Sequence, residues 1–231
     1  MSVTPHLLSF FVCMLCVDLL TCEKIKTDMI KNVVFDFGNV LIGWDPRNLY
    51  RKVFESEEEM EYFLREVCND EWNRLQDSDR TFAEGIAELL PKFPQYEKEI
   101  NIYFDRWLEM LGEEYPASAK LKKILRAEGY RLYGLSNWSA ETFPIVEERY
   151  TFMKDLDGMV ISGFEGIQKP DHRFYHLLLE RYNLRPEETV FFDDRLENVI
   201  AAREVGIHGF LFKSAEQAES DLKALVESLN E

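Results

Sequence analysis

Four polar sites in this chain have the residue types and the order needed to move a phosphoryl group. Asp36 closes the apolar run Val33-Val34-Phe35 and is followed at once by Phe37-Gly38-Asn39. Ser136 ends the run Tyr130-Arg131-Leu132-Tyr133-Gly134-Leu135, Lys169 stands in Gln168-Lys169-Pro170-Asp171, and Asp193-Asp194 follows Thr189-Val190-Phe191-Phe192. A carboxylate at the mouth of a buried strand is costly unless it is paired, metal-bound or used in chemistry. Taken singly, each residue has a plain structural explanation. Asp36 could cap a strand-to-loop turn, Ser136 be an ordinary turn residue, Lys169 a solvated loop lysine and Asp193-Asp194 a helix cap. Together they supply a carboxylate nucleophile, a hydroxyl donor, a cation and an acidic pair. Hard carboxylate oxygens suit Mg²⁺, which binds through one or two carboxylates and keeps several waters. Cations offset the charge spread over the phosphoryl oxygens.

The elements that must bring these residues together are legible as an alternation. After the first strand, Asp45-Pro46 signals a helix start, with aspartate as N-cap and proline at the first helical position. Residues 46–115 carry helix-period segments and no evident strand: Leu49-Tyr50-Val53-Phe54, Phe82-Ile86-Leu89-Leu90, and Ile102-Phe104-Trp107-Leu108-Leu111. Alternation resumes with a helix over 117–128 closed by Gly129 and the strand before Ser136. Then come a helix over 140–150, a strand over 158–161, and a helix whose buried face holds Phe174, Leu177 and Leu178. The strand 189–192, a helix over 198–205 stopped by Gly206, a strand over 209–212 and a closing helix through Leu222, Leu225 and Leu229 complete it. This order predicts an α/β fold, a Rossmann-like three-layer parallel-sheet core with an inserted helical domain. In such a sheet the strand C-terminal ends share one edge, where ligands bind.

Bulk properties narrow the function further. The 231 residues suffice for one α/β core with an insert. A net charge of −16 argues against a nucleic-acid partner, since no basic surplus exists to neutralise phosphates, and against anionic membranes. Cys13, Cys16 and Cys22 fall in the first 28 residues and Cys68 is alone in the rest, which favours a reducing, cytoplasmic setting. The apolar stretch 7–20 is short for a membrane span and has no Lys or Arg before it, as a secretory signal would. Residues 1–28 are therefore read as an extension outside the fold, with Met29 expected as the physiological start in preference to export. Cys13-x-x-Cys16 is read as incidental.

With these motifs in place, the chain resembles the haloacid dehalogenase-like hydrolase superfamily over residues 30–215. Gly38-Asn39-Val40-Leu41-Ile42-Gly43-Trp44-Asp45-Pro46, Ser136-Asn137-Trp138, and Phe192-Asp193-Asp194 through Asn198 resemble a narrower phosphatase group. That group includes bacterial glucose 1-phosphate phosphatases and the N-terminal phosphatase domain of soluble epoxide hydrolases. The resemblance implies a core of residues 29–45 and 116–231 with a helical cap over 46–115. It implies Asp36 as nucleophile, forming an aspartyl-phosphate that water hydrolyses. Mg²⁺ is then held by the Asp36 carboxylate, the Gly38 carbonyl and Asp194, with Asp193 orienting the metal waters. Ser136, the Asn137 N–H and Lys169 hold the phosphoryl oxygens, and Lys169 keeps Asp36 ionised. The implied activity is a Mg²⁺-dependent phosphatase of small phosphorylated metabolites, sugar phosphates first among them. A carbon–halogen hydrolase using Asp36 without metal is the rival enzyme, which the paired acids disfavour; a catalytically weak binding module is the other.

One departure from the family pattern matters. Most phosphatases of this superfamily carry an aspartate two residues after the nucleophile to protonate the leaving group, and here that position is Gly38. Asp45 is the nearest acid in sequence, although helix capping explains it better; a carboxylate of the helical insert or a metal-bound water could serve instead. In that insert Trp72 and Trp107 are candidates to wall a substrate, with core packing as the alternative role, and Glu71 and Asp77 to accept its hydroxyl hydrogen bonds.

Overall fold

The computed structural model describes residues 30–231, and the readings made for residues 1–28 lie outside it. Its centre is a five-stranded, all-parallel sheet of β1 (Asn32–Phe35), β4 (Arg131–Ser136), β5 (Gly158–Ile161), β6 (Thr189–Asp193) and β7 (His208–Leu211). The spatial order is β5-β4-β1-β6-β7. The chain therefore builds outward from β1 on one side, then returns to its other side. Such a reversal of strand order opens a crevice at the carboxyl ends of the strands, and β1, which carries Asp36 immediately after it, stands at the reversal. Register places Phe35 beside Phe192 and Gly134, so Asp36 lies next to Asp193.

Helices cover both faces, as continuous apolar strands require. α6 (Pro116–Ala127) and α11 (Ala215–Leu229) lie on one face, and α9 (His172–Tyr182) and α10 (Leu196–Glu204) on the other. Val33 and Phe35 join the core cluster that includes Leu121, Leu125 and Leu222, while Val34 joins that of Phe174, Tyr175 and Leu178. The period-2 alternation of β1 thus divides its side chains between the two layers. Two short helices, α7 (Phe143–Arg149) and α8 (Ser162–Glu165), flank β5 in sequence. Between β1 and α6 the chain forms the helices α1 (Arg47–Tyr50), α2 (Glu57–Glu66), α3 (Asp70–Gln76), α4 (Phe82–Leu89) and α5 (Glu97–Asp105).

The structure corrects one expectation for residues 46–115. Leu111–Glu114 is a strand, β3, paired antiparallel with β2 (Ile42–Trp44). The expected helix through Trp107 and Leu111 instead ends with α5, passes through a 3₁₀ turn at Trp107–Met110, and enters this ribbon. Gly43 and Gly112 allow the two strands to meet closely, since a Cβ on either would lie 3.3 Å from the other's Cα. The ribbon fixes where the chain leaves and re-enters the sheet domain, with Tyr115 N–H donating to the Leu41 carbonyl at 2.9 Å.

Close approach also governs the floor of the crevice. A Cβ on Gly134 would stand 2.4 Å from Cζ of Phe37, the residue between Asp36 and Gly38. Phe37 is buried against Trp138 and Phe152, so it has no free volume to yield. Gly134→Ala should destabilise the fold by about 1–3 kcal/mol, the usual range for overpacking, and displace the loop carrying Asp36. Urea unfolding and kcat measured on the same variant check both effects; a neutral variant would show that Phe37 can move.

Candidate active site

The turn after β1 is built by its own backbone. Leu41 and Ile42 N–H groups donate to the Phe37 carbonyl at 2.8 and 3.1 Å, and Asn39 N–H donates to the Ile42 carbonyl at 2.7 Å. Asn39 adopts φ 56°, a left-handed conformation that asparagine tolerates, and its Oδ1 accepts from Trp44 N–H at 3.1 Å. Asp36 N–H is tied to the Phe192 carbonyl at 2.9 Å. Asp36 is thus held by sheet and turn together.

Lys169 is the hub. Its ammonium, buried with its whole side chain, lies 2.9 Å from Asp36 Oδ1 and 2.7 Å from Asp193 Oδ2, and it donates to the Leu135 carbonyl at 2.8 Å. Three acceptors satisfy its three donors, which is what a buried ammonium requires. Asn137 clamps the backbone of this lysine in both directions: its Nδ2 donates to the Lys169 carbonyl at 3.0 Å and its Oδ1 accepts from Lys169 N–H at 2.8 Å. On the far side, Asn198 Nδ2 donates to both oxygens of Asp193 at 3.0 and 3.1 Å, and Arg195 N–H donates to Asp193 Oδ1 at 2.8 Å. Asp193 is therefore fully engaged and buried, whereas Asp194 faces the cavity.

The electrostatics depart from the simple expectation for Asp36. Burial raises its pKa, Lys169 lowers it, and Asp193 and Asp194 raise it again, for a net position of about 7. One ammonium does not outweigh desolvation and two neighbouring acids. Lys169 answers in the opposite sense: burial works against its charge, but Asp193 and Asp36 together hold its pKa above the usual lysine value. Asp194 is raised by burial and by Asp193. Asp36, Asp193 and Asp194 each offer a carboxylate oxygen within 4.8 Å of the others. Three carboxylates around one ammonium leave negative charge uncompensated, and an all-oxygen donor set of this kind fits a hard divalent cation.

A cavity of about 170 Å³ opens above this cluster. Asp36, Gly38, Asn39, Asn137, Lys169, Asp194 and Asn198 line its floor; Ser136 is buried at the end of β4 and leaves the wall to Asn137. A Cβ on Gly38 would meet only Trp44 Cβ, at 3.8 Å, so the floor has room where a side chain is missing. Indoles form one wall: Trp44 and Trp107 have centroids 5.3 Å apart, and Trp107 meets Trp138 edge-on at 5.7 Å. Asp70, Asn73, Arg74 and Asp77 form the roof.

Those roof residues were mostly missed by apolar periodicity, although the signal was present. They recur at i, i+3, i+4 and i+7 on α3 and its C-cap, which is one face of a helix. Asn69 starts this helix by accepting from Trp72 N–H at 2.8 Å. The apolar side of α3 turns inward, where Trp72 is buried and donates from Nε1 to the Gly85 carbonyl at 3.1 Å. Trp72 is thus core, Trp107 is cavity wall, Glu71 is exposed and outside the wall, and Asp77 is in it. Asp45 is committed to the helix entry, accepting from Arg47 N–H at 2.9 Å. Arg195 spans from the sheet to the roof, reaching Asp70 at 2.9 Å.

Comparison with known proteins agrees with this arrangement. The chain is 26% identical to a sesquiterpene phosphatase of Aspergillus oryzae, covering 85% of this chain and 96% of that one. It is 27% identical to a glyceraldehyde 3-phosphate phosphatase of Pyrococcus furiosus, covering 62% and 69%. A solved haloacid dehalogenase-family enzyme of Bacteroides thetaiotaomicron, in complex with magnesium and inorganic phosphate, superposes with a TM-score of 0.59 at 25% identity, covering 80% and 95%. Residues 30–206, which include every residue of the cluster, match the haloacid dehalogenase-like hydrolases, and the chain belongs to that family.

Proposed function

We propose that this chain is a Mg²⁺-dependent phosphatase of small phosphorylated metabolites, sugar phosphates among them, working through an aspartyl-phosphate on Asp36. The observation that carries this reading is the cluster of Asp36, Asp193 and Asp194, with the buried Lys169 between Asp36 and Asp193, at the foot of a cavity. A metal-free carbon–halogen hydrolase has little use for a second and third carboxylate beside its nucleophile. The phosphatase names of two relatives, and the magnesium and phosphate in the solved one, support the same choice.

In this reading Asp36, the Gly38 carbonyl and Asp194 hold the metal, which supplies charge neutralisation for the phosphoryl oxygens and for Asp36. Asp36 attacks phosphorus. The Asn137 N–H meets the phosphoryl oxygens from the β4 side, Lys169 adds its positive charge from beside Asp36, Ser136 lies buried behind them, and Asp193 is kept rigid by Asn198 so that the acidic loop does not move. Residues 46–115 act as a cap whose indole wall and polar roof select the organic group. The cavity suits a compact polyol: hydroxyls meet Asp70, Asn73 and Arg74, while the ring face meets indole. We place the activity in the cytoplasm, since residues 29–231 contain the single cysteine Cys68; among the described residues no helix is long and apolar enough to cross a membrane.

Phosphate release from p-nitrophenyl phosphate tests the reading. EDTA should lower the rate at least about 100-fold and added Mg²⁺ should restore it, in line with the several kcal/mol that Lewis-acid charge stabilisation supplies. Release of chloride from chloropropionate with no effect of EDTA would overturn it.

A further inference from the structure

Cleaving a phosphoester leaves its electron pair on the departing oxygen, which must gain a proton unless it is a weak base. The floor of the cavity supplies no obvious donor. Gly38 has no side chain, Asp36 is the attacking group, and Lys169 has all three donors engaged by Asp36, Asp193 and the Leu135 carbonyl. Asp194 belongs to the acidic cluster. On the roof, Asp70 is exposed and paired with Arg195 at 2.9 Å. Arg74 and Arg195 carry guanidinium groups and not carboxylic acids.

Asp77 differs from all of these. It lines the same cavity as Asp36, at the C-cap of α3. Its carboxyl makes no hydrogen bond or ion pair among the described residues, while its backbone is fastened to the sheet domain. Ser162 Oγ donates to the Asp77 carbonyl and accepts from Trp138 N–H at 2.9 Å, so the hydroxyl joins roof to wall at this residue. The stem of α3 is stiffened by Arg80, which donates to the Trp72 carbonyl and to Gln76 Oε1 at 2.9 and 2.6 Å. A positioned backbone with an uncommitted acid aimed into a catalytic cavity is what proton transfer requires.

The geometry points to Asp77 as the proton donor to the leaving-group oxygen, taking the place of a side chain at Gly38. This inference rests on the phosphatase reading. As Asp36 Oδ bonds to phosphorus, the bond from phosphorus to the ester oxygen breaks. Its electron pair goes to that oxygen, which takes the Asp77 proton and departs as an alcohol, leaving Asp77 a carboxylate. In the second half, Asp77 removes a proton from water as the water oxygen bonds to phosphorus. The bond from phosphorus to Asp36 then breaks and its pair returns to the Asp36 carboxylate, so both acids end as they began.

The electrostatics agree. Burial and Asp70 raise the pKa of Asp77, Arg74 lowers it, Asp36 raises it and Arg195 lowers it, leaving it at about 7. These are the charged groups that face it from α3, from the turn after β1 and from the loop before α10. An acid of this strength is protonated in an appreciable fraction near neutral pH, and that fraction falls as pH rises through about 7.

The test compares kcat/KM for dinitrophenyl phosphate, whose leaving group needs no proton, with that for phenyl phosphate, whose leaving group does. In Asp77→Asn the ratio of phenyl to dinitrophenyl kcat/KM should fall by about 10²–10⁴-fold. The decline of wild-type kcat/KM for phenyl phosphate above about pH 7 should disappear in the variant. Dinitrophenyl phosphate should also give the variant a burst of dinitrophenolate, because the water step has lost its base. Equal loss on both esters would assign Asp77 a structural role, and no loss on either would remove it from the reaction; both overturn the inference. If wild-type protein with Mg²⁺ cleaves neither ester, the phosphatase reading itself fails and takes the inference with it.

Discussion

Asp36→Asn should lower kcat for p-nitrophenyl phosphate by about 10⁵–10⁶-fold, the scale seen when an attacking group is removed outright. The amide oxygen is close in size and shape to the carboxylate but cannot form a stable acyl-phosphate. Acid-quenched enzyme should therefore carry phosphate when wild type and none when variant. The loss should be catalytic rather than structural. Asp36 sits buried among acids, with a pKa of about 7 in the folded state, well above the ordinary aspartate value of about 3.9. A carboxyl raised in this way favours folding fully below its unfolded pKa, and that contribution is lost as pH rises through the folded pKa. Above pH 7 the ionised Asp36 therefore works against the fold, and a neutral amide in its place removes that strain. Metal-free Asp36→Asn should melt higher than metal-free wild type at pH 8, with the difference closing between pH 7 and pH 4. A variant that melts lower at pH 8 would show that the ion pair with Lys169 outweighs desolvation after all.

The site is more legible in the sequence at its floor than at its roof, for a physical reason. Asp36, Ser136 and Asp193 each end an apolar strand, and a parallel sheet can only bring such ends to one edge. Strand alternation was thus enough to predict that they converge. Lys169 comes from a loop, and its burial between two acids follows from the length of its side chain, which lets the ammonium reach both carboxylates. What sequence could not supply was the balance of charges, because the pKa of Asp36 depends on desolvation and on three neighbours at once. The roof was obscured because apolar periodicity identifies the face of α3 that turns to the core, at Trp72, and says nothing about the opposite face. In this helix the polar face looks into a cavity instead of bulk water. The β2–β3 ribbon was hidden because three or four residues with glycines at the crossing carry no period to read.

Lys169→Met keeps most of the side-chain volume and removes the charge together with its three donors, so it isolates what the ammonium does. Two consequences should appear together. Activity should fall by about 10³–10⁵-fold, the range for removing a cation that stabilises a transferring phosphoryl group. Stability should fall by about 3–5 kcal/mol at pH 8, as when one partner of a buried ion pair is removed, because Asp36 and Asp193 are left facing each other across the gap that Lys169 filled. The stability loss should shrink as pH drops toward 5, since the freed carboxyls then take up protons in the folded state, and urea unfolding at the two pH values measures this. Lys169→Arg should not restore either property: a planar guanidinium cannot reproduce three diverging donors to Leu135, Asp193 and Asp36. The double variant Asp36→Asn with Lys169→Met separates the two roles. Removing one acid together with the ammonium relieves part of the uncompensated charge, so its stability should exceed that of Lys169→Met alone, a non-additivity expected of residues in contact or in one ion-pair network. Its activity should remain as low as that of Asp36→Asn, because no rearrangement of charge replaces the atom that attacks phosphorus.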